Sequence, residues 1–126
     1  MSFSNFLETE ILDHVFGAAA YTAPSTLHVG LYTATPNDAG GGTELSGSAY
    51  ARVTATFTTS GDTTSNSGAL EWATATGDWG TITHVGVFDA ATSGNLLAYG
   101  ALSASKAVDT GDVFRIPAGD LDITLN

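Results

Sequence analysis

"DWGTITHVGVFDAATSGNLLAYGAL" (residues 78–102) carries two aspartates, one histidine and four glycines. It reads either as an acid/base constellation or as a strand hairpin, and periodicity decides between them. Ile82, His84, Gly86 and Phe88 alternate with Thr81, Thr83, Val85 and Val87, the period of two expected of a pleated strand with two distinct faces. "DAATSGN" (89–95) supplies turn residues, framed by Asp89 and Asn95, and "LLAYGAL" (96–102) reads as the antiparallel partner. The chemical reading is weak. Along an extended chain Asp78 and His84 stand about 20 Å apart, and His84 and Asp89 about 17 Å. No nucleophile motif flanks His84, so it reads as a strand or interface residue. Gly86 and Gly100 allow close approach of another backbone, from a bulge or a neighbouring chain.

The same period continues on either side. "TLHVGLYT" (26–33) points Leu27, Val29 and Leu31 inward, and "YARVTATFT" (50–58) does the same with Val53, Ala55 and Phe57. Between them "ATPNDAGGGTELSGS" (34–48) is a long polar loop, and "TTSGDTTSNSGA" (58–69) reads as a second flexible stretch before a short strand, "LEWATA". "AVDTGDVFRI" places Asp109–Asp112 as a tight turn between two strands, and "PAGDLDITL" leads into a last one with Leu121, Ile123 and Leu125 inward. Seven to eight short strands predict a mainly β protein, an antiparallel β-sandwich or barrel.

The N-terminus is the exception. Leu7, Ile11, Leu12, Val15 and Phe16 share one helical face, with Ser4 or Asn5 as the cap, Glu8 in the first turn and Gly17 at the stop. The expected organisation is a single β domain over residues 1–126, with a helix at about 5–16 and a β core at about 26–125. Leu7, Ile11, Val15 and Phe16 are expected to be buried against that core or a neighbouring subunit.

Charge restricts the partners. Three basic residues against thirteen acidic ones leave a net charge of −10 in 126 residues. Phosphate binding needs Lys and Arg, so nucleic acid is excluded as a partner. No apolar run is long enough to span a membrane, and "MSFSNFLETEILDHVF" lacks the basic region and cleavage pattern of a secretory signal, so the chain reads as soluble and made in a cytoplasm. With no cysteine there is neither a disulfide nor a thiol nucleophile.

His14, His28 and His84 fall on separate elements without metal-ligand spacing. Calcium is the better ionic case: the "DTGD" and "GDLD" turns make Asp109, Asp112, Asp120 and Asp122 candidate ligands, although the sequence has no EF-hand or nonapeptide repeat. Glycine-assisted turns account for the same residues without a metal. Otherwise no cofactor is expected. Trp72, Trp79, Tyr32, Tyr50 and Tyr99 read as core or interface aromatics, with a sugar-stacking platform as the alternative. Phe6, Leu7, Ile11, Tyr32, Tyr50 and Trp79 are the candidate interface residues.

"SNFLETEILDHVFG", "YTAPSTLHVGLYTATP", "YARV" and "GDWGTITHVGVFDAATSGNLLAYGALSASKAVDTGDVFRIPAGDLDITL" together resemble a family of small virion proteins of tailed bacteriophages, often labelled structural or tail fibre proteins. The resemblance implies a non-enzymatic virion component, made in the host cytoplasm and carried on the capsid surface or tail. Its expected partners are copies of itself, most simply a trimer, and other virion proteins such as the major capsid protein or tail components. The sequence has no collagen-like or coiled-coil shaft, which tilts the expectation toward capsid decoration or cement. A tail fibre or tail-tip receptor- or glycan-binding protein is the alternative, and a small hydrolase a remote one.

Overall fold

In the computed structural model, which describes residues 1–125, the elements run β1 (Ser2–Phe3), α1 (Asn5–Phe16), β2 (Leu27–Ala34), β3 (Thr43–Glu44), β4 (Val53–Ala55), β5 (Phe57–Ser60), β6 (Thr63–Asn66), β7 (Leu70–Glu71), β8 (Gly80–Phe88), β9 (Leu96–Val108), β10 (Arg115–Ile116) and β11 (Asp122–Thr124). β8 and β9 form the hairpin read from the sequence, and β2 pairs with β8 on its other side. β1 flanks β9, while β3 and β4 both pair with β2. The smaller sheets, β7 with β10 and β5–β6–β11, complete a sandwich-like antiparallel fold that does not close into a barrel. Among the described residues no helix is long and apolar enough to cross a membrane.

Val29 and Leu31 of β2 and Val85 and Val87 of β8 form the inner face of the large sheet. They pack with Leu70, Trp72, Phe114, Ile116 and Leu121 from around the smaller sheets. Trp72 is 1% exposed and meets Phe114 edge to face at 5.3 Å. Burying side chains of this size contributes about 1.5–3 kcal/mol each, which lets a chain with no disulfide hold together by packing.

One face assignment needs correction. Ile82 belongs with Val85 and Val87 in the core, not with His84, Gly86 and Phe88. The ladder explains this: Ile82 opposes Lys106 but His84 opposes Ala101, so two steps along β8 match five along β9. The irregularity breaks strict alternation, and the side-chain phase changes across it.

The 58–69 stretch, expected to be flexible, is mostly a hairpin. Gly61, at φ +64°, turns β5 into β6, and Thr59 and Thr64 hydrogen-bond across the pair. Asn66, 1% exposed, fastens it to the core: Nδ2 donates to the Gly68 and Pro117 carbonyls, and Oδ1 accepts from the Leu121 N–H. The expected 50–58 strand divides at Thr56 into β4 and β5. Leu121 is buried as expected, but Leu125 is 55% exposed.

The helix forms where the sequence places it. Ser4 is the cap: its Oγ accepts from the Leu7 N–H at 3.3 Å and donates to the Leu96 carbonyl, while its N–H donates to the Leu97 carbonyl. These bonds tie the start of α1 to β9. No residue of α1 is fully buried in the chain, although Phe6, Leu7, Glu10 and Ile11 are half-buried. Of Leu7, Ile11, Val15 and Phe16, expected to be covered by the β core or by a neighbouring subunit, Leu7 and Ile11 are half-buried within the chain, while Val15 and Phe16 are not covered by the core, because every residue from Leu12 to Ala20 is exposed.

Candidate functional site

The residues that invite a catalytic reading have separate structural tasks. The Asp89 carboxylate accepts from the Asn95 N–H at 2.7 Å and from Asn95 Nδ2 at 2.9 Å, closing the β8–β9 turn. Asp78 Oδ1 accepts from the Thr110 N–H and hydroxyl, and His84 Nδ1 lies 2.9 Å from Thr83 Oγ1.

The acidic turns likewise stay apart. Asp112 Oδ2 accepts from the Asp109 N–H, and Asp122 Oδ1 accepts from Ser65 Oγ. Asp120 sits in the 117–120 turn, where its N–H donates to the Pro117 carbonyl. Among the described residues no three His, Asp or Glu side chains come together as a metal site. The candidate ligand set of Asp109, Asp112, Asp120 and Asp122 is thus not assembled; these residues hold turns and strands instead.

The large sheet does assemble one polar cluster, on the face opposite the main core. Gly30 and Gly86 are directly paired there, and the space above them is filled by Tyr32, Phe88, Tyr50 and Glu44. Arg52 makes a bidentate pair with Glu44, Nε to Oε2 at 2.9 Å and NH2 to Oε1 at 2.8 Å. Its NH1 donates to the carbonyls of Ala90 and Ser93, and its guanidinium lies 3.4 Å over the Phe88 ring. Tyr50 donates to Glu44 Oε2 at 2.7 Å and accepts from the Leu31 N–H.

The electrostatics follow from this packing. Burial pushes the Tyr32 phenol up to about 12, aided by the Glu44 carboxylate. Burial and then the hydrogen bond to Glu44 raise Tyr50 further. For Arg52, burial opposes the charge but Glu44 outweighs it, holding its pKa above the ordinary value. The cluster clamps the 43–52 segment to the 89–95 turn. Sequence reading missed it.

The expected interface residues divide into two groups. Tyr32 and Trp79 are buried inside the chain, with the Trp79 indole donating to the Ser48 carbonyl, and Tyr50 is half-buried in the cluster. Phe6, Leu7 and Ile11 are half-buried on α1, where Phe6 meets Tyr21 edge to face. Beyond them Leu12 is 58%, Val15 60% and Phe16 82% exposed. Exposed apolar side chains side by side on one helix end are a surface for contact.

A family model described as "Podophage GP4 fiber I protein gp80" matches residues 2–124. No curated protein matches the chain. The match runs from β1 through the helix and every sheet to the end of β11, and the chain accordingly belongs to the podophage GP4 fiber I protein gp80 family, a family of phage structural proteins.

Proposed function

We propose that this protein is a non-enzymatic component of a podophage tail fibre that works by packing against copies of itself and against neighbouring virion proteins. The observation that carries this reading is the uncovered end of α1: the β core is filled, yet Leu12, Val15 and Phe16 face solvent together. An isolated domain gains nothing from presenting them, whereas burial in a contact removes their apolar area from water at about 25 cal/mol per Å². The fibre description of the family favours the tail over the capsid surface, and capsid decoration has no specific support beside it. The structural tasks of Asp78, His84 and Asp89 favour a non-enzymatic role over a hydrolase.

Light scattering on the purified protein tests the assembly part. A discrete oligomer, a trimer in the simplest closed arrangement, is expected. A monomer at all accessible concentrations would remove the self-packing half of the proposal.

A further inference from the structure

An open groove lies elsewhere on the same chain. Of about 820 Å³, it runs between the second half of β9 and the turns around β10 and β11. Leu102, half-buried, and Pro117, exposed, give it apolar surface, and the buried Phe114 and Ile116 add little of theirs. β1 pairs with β9 only at Ala98 and Tyr99, and the ladder to β8 is interrupted between Ala101 and Lys106. That part of β9 is therefore bare on the groove side, and Ser103, Ala104 and Ser105 are exposed. No residue of α1 lines the groove, so the helix of one chain does not fill it.

Charge selects the occupant. Two of the chain's three basic residues, Lys106 and Arg115, line the groove together with two of its thirteen acidic ones, Asp120 and Asp122, so these side chains are formally neutral in sum on a chain of net charge −10. The third basic residue, Arg52, is consumed by Glu44. Lys106 has no ion-pair partner among the described residues, and the Arg115 contact to Glu71 is long, at 3.9 Å between exposed groups. The helix shows the complementary pattern: Glu8, Glu10 and Asp13 with no Lys or Arg, beside the exposed Leu12, Val15 and Phe16.

We propose, building on the self-packing reading above, that the α1 end of one copy seats in the β9–β10 groove of the next. Leu12, Val15 and Phe16 lie against Leu102 and Pro117, and the exposed Glu8 and Asp13 carboxylates face Lys106 and Arg115. The two surfaces differ, so the contact is head-to-tail. Such a contact closes into a ring where the rotation permits and otherwise extends as a filament.

The absence of cysteine makes a clean test. Ala19→Cys, next to the helix end, and Ala104→Cys, in the groove, are both at exposed positions and leave the proposed contact residues intact. With a short thiol-reactive cross-linker, a mixture of the two single variants should give several-fold more cross-linked dimer than either alone. Lys106→Glu with Arg115→Glu on the groove partner should abolish that excess, and Glu8→Lys with Asp13→Lys on the helix partner should restore it. Equal yield from the Ala19→Cys chain alone would mean helix-to-helix pairing and overturn the proposal. Oligomers by light scattering with no cross-link in the mixture would overturn it while leaving the self-packing reading standing. Monomers throughout would overturn both.

Discussion

Gly30 sits directly opposite Gly86 across the β2–β8 ladder, and the missing side chains leave the space in which Phe88, Tyr32 and the Glu44 carboxylate lie. A Cβ on Gly86 would fall 2.8 Å from Leu96 Cδ1 and 2.9 Å from Tyr32 Cε1. Gly86→Ala should therefore cost about 1–3 kcal/mol by overpacking. Gly30→Ala, whose Cβ would meet Glu44 Oε2 at 2.6 Å, should cost a similar amount of about 1–3 kcal/mol. Denaturant midpoints check both; unchanged midpoints would mean that the face is loosely packed.

The two ion pairs should behave differently. Arg52 has a side chain only 8% exposed, against 23% for Glu44, so Glu44→Gln leaves a nearly buried guanidinium without its counter-charge. The expected loss is about 2–4 kcal/mol, reduced from the fully buried case because Glu44 keeps some contact with water. Glu71→Gln, at the exposed Arg115 pair, should change stability by less than about 0.5 kcal/mol. Equal effects in equilibrium unfolding would contradict the placement of Arg52.

Alkaline titration reads the same cluster. Tyr32 is raised to about 12 and Tyr50 is raised as well, both chiefly by burial. The unfolded chain gives up these protons first, near pH 10, so their stabilising contribution is complete below that value and is lost as pH rises through about 12. Tyrosinate absorbance for these two residues should develop together with unfolding. A full tyrosinate signal near pH 10 from a still-folded protein would show that the rings are open to water.

Assembly should respond to salt in two ranges. Each chain carries −10, so copies repel at long range, over a Debye length of about 30 Å at 0.01 M salt. Physiological salt shortens that length to about 8 Å and removes most of the whole-chain repulsion, while close contacts between carboxylates and Lys106 or Arg115 are screened less. Oligomer mass should rise between these two conditions. A steady fall over the same range would mean that local attraction already dominates at low salt.

The legible parts of the fold were those in which one periodicity ran unbroken. α1 spans Asn5–Phe16 because its apolar spacing and its flanking Ser4 and Gly17 agree. What its periodicity could not convey was which partner covers the apolar face. Parity failed at Ile82, where the ladder irregularity shifts the phase without an obvious marker in the residues. The 58–69 hairpin was missed because hydroxyl residues fill much of both faces, and its order comes from cross-strand bonds such as Thr63–Thr124 and from Asn66. The Arg52 cluster joins positions 44, 50, 52 and 88 through tertiary packing, which local spacing does not report.

The central claim, a structural protein of the phage tail fibre, is tested most directly by immunogold labelling of intact particles with antibody raised against this chain. The account predicts gold at the tail appendages, in several copies per particle. Gold confined to the capsid surface, or particles that carry none of the protein, would contradict it.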